Sequence, residues 1–408
     1  MSEQDIKDQN LHWFNKDAYN FKLKRKMYTT LEKELSYKHI TGITGPRRVG
    51  KTILIKQIIA HLIKSRVPKE NILYFSFDEI NSENSIKLLM RDWEKILGKD
   101  YQKEKYIVFI DEIQNVNRWA EQLKTYYDLY ENNIKFFISG SASLNIKKGQ
   151  ESLAGRLIEF FVGPLDYDEY LTFSEKPKLN LENYYNDYLY NQLPALALRQ
   201  EDKRKYTESI VKKVIYEDAV KYYNIDNPNL LDSLFKIIVR KPGQIINYDD
   251  LANDLGASRN TLPKYFEVLE KSYLVRKVYN YSNNTRKIEK KSKKFYPYFT
   301  TLFNYIFPQE IDIGELTETV VAQKINAEFF HNLKNKEIDF IIIKENNYKI
   351  GLEVKAKNHI VKKDIKYLLE NKLHLNKLIL VTLPNSILGF EQKDLDILTV
   401  LDLITKGI

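Results

Sequence analysis

The chain has 408 residues, 43% of them hydrophobic, which is enough for two or three domains with their own cores. It contains no cysteine, so disulfides, zinc–thiolate centres and thiol nucleophiles are excluded. A net charge of +9 suits an acidic partner such as nucleic acid, though a Lys-rich composition alone produces the same excess.

The chain begins with a polar, acidic stretch, Met1 to Asp8, that has no signal-peptide core. No apolar run approaches the ~18 residues of a membrane span, so no membrane association and a cytoplasmic setting are expected. Residues 39–44 read as a short strand and 53–64 as a helix. Between them lies Gly45-Pro46-Arg47-Arg48-Val49-Gly50-Lys51-Thr52, of the form G-x-x-x-x-G-K-T. Strand, glycine loop and helix in that order define a phosphate-binding P-loop. Its glycines let backbone N–H groups close on a triphosphate, and the helix start adds positive potential. Lys51 is expected to reach the β- and γ-phosphates of ATP, and Thr52 to supply a hydroxyl to Mg²⁺.

Residues 71–78 form a second predicted strand. A third, 106–112, carries five consecutive apolar residues and ends in Asp111-Glu112. Such a run suits a strand buried on both faces of a parallel sheet, whose carboxyl end is where ligands bind. Asp111 is expected to hold Mg²⁺ and Glu112 to polarise the attacking water. A fourth strand, 135–138, leads into Ser139-Gly140-Ser141-Ala142-Ser143, where Ser139 or Ser141 is expected to touch the γ-phosphate. The alternation of strands and helices from 37 to 145 predicts a doubly wound α/β domain with a parallel sheet.

Residues 175–240 read as Tyr-rich helices whose tyrosines serve packing. Lys241-Pro242-Gly243 ends them. Helices over 248–256 and 259–271, the second capped by Ser258, are joined by a glycine turn, and a strand follows at 273–279. They predict a helix-turn-helix with a wing over 245–280. In a DNA-binding reading Arg259, Asn260 and Lys264 face the nucleic acid, and the basic run 286–294 neutralises phosphates. A contact with protein, or with a second copy, is the other use of such a unit.

The last hundred residues predict a helix around 314–322 and a hairpin of strands 336–343 and 349–355, with further strands at 377–382 and 397–400. Asp339 on the first hairpin strand, followed by Glu353 and Lys355 on one face of the second, forms the PD-(D/E)XK nuclease pattern. Asp339 and Glu353 are expected to hold Mg²⁺ and Lys355 to orient water, with Glu318 at the fourth position of that fold.

The double-arginine P-loop, Asp111-Glu112-Ile113-Gln114, the 139–143 segment, Leu153-Ala154-Gly155-Arg156 and Gly163-Pro164-Leu165-Asp166-Tyr167-Asp168-Glu169-Tyr170 together resemble the archaeal-type AAA+/STAND-like ATPases. The resemblance implies an AAA ATPase domain over 1–170, a helical linker with winged helix over 171–300, and a restriction-endonuclease-like domain over 301–408. It also implies that Arg156 reaches a γ-phosphate, in its own subunit or across an interface. The chain departs from the family after Lys294-Phe295-Tyr296, which runs into Pro297-Tyr298-Phe299. The expected function is an ATP-hydrolysing switch acting on or near DNA. The alternative is a nucleotide-gated regulatory or protein-binding module with an inactive C-terminal domain.

Overall fold

The computed structural model describes residues 2–78, 85–98, 101, 103–140, 153–306, 311–334, 336–370 and 372–408. They fall into two compact units, Met1–Pro164 and Leu165–Ile408.

In the first unit, β1 (Ile40–Thr44), β2 (Ile72–Ser76), β3 (Tyr106–Asp111), β4 (Ile134–Gly140) and β5 (Leu157–Phe161) form one sheet of order β2-β3-β4-β1-β5. Every pairing is parallel. The predicted parallel sheet is therefore present, with β5 as a strand that the sequence pattern did not reveal. Helix α1 (Glu3–Gln9), α2 (Met27–Lys33), α3 (Lys51–Lys64), α4 (Ile86–Leu97) and α5 (Trp119–Tyr130) complete the unit. Helix α3 buries Leu54, Ile55, Ile58, Ile59 and Leu62, a stripe at helical spacing. Helix α4 is capped by the Ser85 side chain and closed by the left-handed Gly98. It buries Leu89, Met90 and Trp93 in one core with Val108, Ile110 and Phe136 of the sheet.

The N-terminal segment guards the sheet edge. The Asn10 side chain accepts the Tyr74 N–H and donates to the Tyr74 carbonyl, and Gln9 does the same for Ser76. These amides pair groups that the edge strand β2 would otherwise expose.

The second unit opens with the helix Tyr167–Phe173, whose Asp166 and Glu169 make a reciprocal capping box. Within the Tyr-rich region Tyr185 and Tyr188 are buried, Tyr188 meeting Tyr167 and Tyr170 ring to ring, whereas Tyr216 is 38% exposed. Helices Pro228–Arg240, Tyr248–Asp254 and Thr261–Lys271 follow. The last begins two residues later than predicted, after Asn260, which makes no side-chain cap; Ser258 instead accepts the Asn260 N–H just before it.

The described strands of this unit are β6 (Ile245–Ile246), β7 (Val275–Asn280), β8 (Lys293–Pro297), β9 (Phe329–Leu333), β10 (Lys336–Ile343), β11 (Lys349–Lys355), β12 (His359–Ile360), β13 (Lys377–Thr382), β14 (Ile387–Leu388) and β15 (Asp396–Thr399). Eight of them form one sheet, β15-β13-β11-β10-β9-β7-β8-β6, and β12 pairs with β14. This sheet spans the expected boundary at 300/301. The strands after the helix pair and those of the C-terminal segment belong to one continuous sheet, joined where β7 runs parallel to β9.

Candidate functional site

The P-loop leaves the carboxyl end of β1. Gly45 has φ +145°, and a Cβ there would lie 2.0 Å from the Val162 carbonyl oxygen, so no side chain fits. Gly50 precedes α3 with φ +100°. Lys51 is 6% exposed and donates from Nζ to the carbonyls of Gly45 and Pro46, both at 2.8 Å. Burial pulls its pKa down from the ordinary 10.5 to about 8, against the attraction of Glu112 and Asp111. Pro46 and Val49 are buried, Arg47 is half-buried and Arg48 exposed. Arg25 supports the loop from behind. Its guanidinium donates to the carbonyl of Val49 at 2.5 Å, and to those of Gly163 and Pro164 at 3.0 and 3.2 Å.

Asp111, at the end of β3 and 2% exposed, is the hub of the site. Its Oδ2 accepts the Thr52 hydroxyl at 2.6 Å and the Tyr74 hydroxyl at 3.3 Å. Its Oδ1 accepts the Ser139 hydroxyl and, at 3.1 Å, the Glu112 N–H. Burial, with the Asp111 charge second, pushes the Tyr74 pKa up and keeps that hydroxyl a donor. Glu112 holds a left-handed backbone (φ 51°, ψ 44°), and its carboxylate accepts from the Gln114 amide. The structure thus gathers Thr52, Glu112 and Ser139 around Asp111, with Lys51 beside them. A hydroxyl beside a carboxylate is a hard oxygen donor set of the kind Mg²⁺ takes, and the two glycine positions form a cradle for phosphate.

Two expectations change. Ser139 is fully buried and its hydroxyl goes to Asp111, so in this arrangement it holds the carboxylate. Ser141 lies outside the described residues. Arg156 precedes β5, and its carbonyl accepts the N–H of Ile40, the first residue of β1. It therefore stands at the amino edge of the parallel sheet, a five-residue strand, about 16 Å, from the P-loop. There it pairs with Asp128 through Nε at 2.7 Å and Nη2 at 3.4 Å. It does not reach the phosphate cradle of its own chain. Tyr74 and Arg25 are the members that the sequence did not disclose.

In the second unit the β10–β11 ladder runs from Ile343↔Lys349 to Phe340↔Leu352. The next position sets Asp339 opposite Glu353, and pairing of β10 with β9 is irregular between Ile338 and Ile341. Like charges directly opposite disfavour a regular ladder, and bulges re-aim side chains. Here the Asp339 Oδ2 accepts the Val354 N–H at 2.8 Å. Glu353 accepts Lys355 Nζ at 2.7 Å on Oε1, while its buried Oε2 has no partner. Burial and the Asp339 charge push Glu353 up to about 8. Glu318 accepts the Tyr296 hydroxyl at 2.6 Å and faces Lys294 Nζ at 3.4 Å; burial and Asp339 push it up to about 7. Burial opposes the Lys355 charge, but Asp339 and Glu353 outweigh it and raise its pKa. The predicted set is thus gathered. Even so, among the described residues no three acidic or histidine side chains converge closely enough to hold one metal ion.

The basic run is not a single solvent-facing patch. Arg286, Lys287 and Lys290 are exposed on the short helix Thr285–Lys290. Lys291 donates to the Tyr281 carbonyl at 3.0 Å, and Lys294 is buried. Arg259, Asn260 and Lys264 are exposed; Arg259 pairs with Asp249 at 2.9 Å, and Lys264 donates to the Asn224 carbonyl at 3.1 Å.

Residues 37–171 match the model of the AAA domain family, over the stretch that carries the P-loop and the parallel sheet. Residues 181–310 and 313–401 match two domains of unknown function, DUF8612 and DUF4143. The chain is 28% identical to an uncharacterized protein of Methanocaldococcus jannaschii over 388 residues, covering 84% of this chain and 80% of the relative. It is 24% identical to an uncharacterized protein of Haemophilus influenzae over 368 residues, covering 84% and 88%. The RuvB Holliday junction branch migration motor of Thermotoga maritima aligns at 17% identity over 68% of this chain and 89% of that one. Its TM-score of 0.31 is too low to say anything of fold or activity. Among the described residues no helix is long and apolar enough to cross a membrane.

Proposed function

We propose that the chain is an ATP-hydrolysing molecular switch. The observation that carries this reading is the bonding of Asp111, whose two oxygens take the hydroxyls of Thr52, Tyr74 and Ser139 and the Glu112 N–H. Thr52 and Asp111 would hold Mg²⁺, which when bound neutralises charge on the β- and γ-phosphates. Lys51 would exchange its two carbonyl partners for phosphate oxygens. The P-loop N–H groups would bind the same oxygens, and Glu112 would accept a proton from an in-line water. Glu112→Gln tests the assignment. ATP binding should persist while turnover falls by about 10²-fold or more; turnover at the wild-type rate would remove Glu112 from the mechanism.

We further propose that the second unit acts on DNA. The helix pair followed by β7 and β8 supports a winged-helix reading, with exposed Arg259, Asn260 and Lys264 near the second helix's start. The Asp339, Glu353 and Lys355 set supports metal-dependent phosphodiester chemistry, the unpartnered Glu353 Oε2 being the observation in its favour. Mg²⁺-dependent cleavage of duplex, branched and single-stranded DNA, with Glu353→Ala beside wild type, tests it. A second reading, a regulatory module with an inactive C-terminal domain, is favoured by the lack of three converging ligands among the described residues. Equal results for the two chains would support that reading.

A further inference from the structure

Resting on the ATP-binding reading of the first unit, we infer that Arg25 is a positioning residue of the phosphate site: it aims the Gly50 N–H at the nucleotide without touching the phosphates itself. The Arg25 side chain is 8% exposed. Its Nη1 donates to the Val49 carbonyl at 2.5 Å. The Val49 carbonyl and the Gly50 N–H belong to one planar trans peptide and point in opposite directions. Holding that oxygen on Arg25 therefore turns the Gly50 N–H away from Arg25, and no described residue accepts it. The restraint has to come from outside the loop. Gly50 has φ +100°, in a region where glycine is permissive, so the residue itself does little to fix the peptide. A rotated peptide would present its carbonyl oxygen, instead of its N–H, to an anion.

Arg25 is itself held from two sides. Gln57 of α3 donates to the carbonyls of Phe21 and Leu23 at 3.3 and 2.7 Å, which fastens the segment carrying Arg25 to the helix that follows the P-loop. On the other side, Nη2 donates to the carbonyls of Gly163 and Pro164 at 3.0 and 3.2 Å. These two residues follow Val162, whose N–H donates to the Thr44 carbonyl at 2.8 Å and whose own carbonyl lies against Gly45. One planar guanidinium thus ties the N-terminal segment, the P-loop and the stretch after β5 into a single frame. An ammonium, as a point donor, cannot reproduce that fork. The two cations at the loop divide the work. Lys51 holds the Gly45 and Pro46 carbonyls and is the one that would turn to phosphate; Arg25 holds the Val49 carbonyl and stays.

Nuclear magnetic resonance on the full chain tests this. Only Gly50 and Gly163 follow a valine in the sequence. Labelling with carbonyl-¹³C valine and ¹⁵N glycine therefore isolates their two amides, and Val49→Ile identifies the Gly50 signal. MgATP should shift that signal in the wild type. Arg25→Met should weaken ATP affinity by about 10-fold or more, as for a lost hydrogen bond to a charged group, and should shrink the Gly50 shift at saturating ATP. Arg25→Lys should fall between the two chains in both respects. Affinity of Arg25→Met within about twofold of wild type, a full Gly50 shift in that variant, or ATP binding by wild type with no Gly50 shift would overturn the inference while leaving ATP binding in place. No ATP binding by wild type would overturn both. If Arg25→Met does not fold, Arg25→Lys decides: a smaller Gly50 shift than in wild type supports the inference, and an equal one overturns it.

Discussion

The two acidic centres of this molecule hold their carboxylates in different ways. In the first unit Asp111 is oriented by three hydroxyls and a backbone N–H, all neutral donors. In the second, Glu353 and Glu318 face the ammonium groups of Lys355 and Lys294. Neutral donors fix a carboxylate while leaving its charge available to a metal; lysines fix it by consuming that charge. The first arrangement suits a site that must take up Mg²⁺ with each nucleotide. The second suits a cluster whose two ammonium groups meet part of its negative charge and leave one oxygen, Glu353 Oε2, for a ligand.

The largest effect expected from this contrast follows Asp111→Ala. It removes the proposed metal partner and strands the buried hydroxyls of Tyr74 and Ser139. ATP turnover should fall by about 10³-fold, with a stability loss of about 1–3 kcal/mol from the unpaired groups. Steady-state kinetics and thermal unfolding check both, and a variant as stable as wild type would contradict the hub.

Lys51→Met should act in the opposite sense on stability. A lysine whose pKa falls from 10.5 unfolded to about 8 folded costs the fold stability below pH 8, and that cost fades as pH rises from 8 to 10.5. At pH 7 the variant should therefore unfold at higher temperature than wild type while losing ATP binding. A lower melting temperature would mean that the two carbonyl bonds outweigh burial. By the same titration, ATP affinity of the wild type should weaken as pH rises above about 8, as the free protein loses the Lys51 charge.

Tyr74→Phe probes one donor of the four. Losing a single hydroxyl bond of 3.3 Å should reduce turnover by about 2- to 10-fold and raise the Mg²⁺ concentration needed for half-maximal rate. An unchanged Mg²⁺ dependence would leave Tyr74 a packing residue. Smallest is the effect of neutralising Arg286, Lys287 and Lys290 together on DNA binding. The slope of log affinity against log salt should drop by about 3, near 0.9 for each phosphate that these side chains neutralise. An unchanged slope would remove these three side chains from the DNA contact.

The P-loop site was legible because its parts are local. Gly45 to Thr52 are contiguous, and Asp111-Glu112 ends an apolar run whose strand character is unambiguous. What escaped was long-range. Tyr74 sits on a strand of ordinary composition and joins the site only because β2 lies beside β3. Arg25 reaches the loop from a segment with no pattern of its own. The place of Arg156 at the amino edge was hidden for a topological reason. Leu157-Ile158-Glu159-Phe160-Phe161 is half-exposed and mixed in character, so β5 did not register as a strand, and a residue preceding a parallel strand belongs at the amino edge. In the second unit Asp339, Glu353 and Lys355 were legible from alternation along two strands. Lys294 was not, because a lysine in a basic run reads as solvated until β8 turns it inward.

The central claim is that the Gly45–Thr52 loop and the Thr52–Asp111 pair perform Mg²⁺-dependent ATP hydrolysis. ATP turnover of the purified chain in excess Mg²⁺, beside Lys51→Ala under the same conditions, tests it most directly. Measurable phosphate release by wild type and none above background by the variant is the expected result; equal rates from the two would contradict the claim.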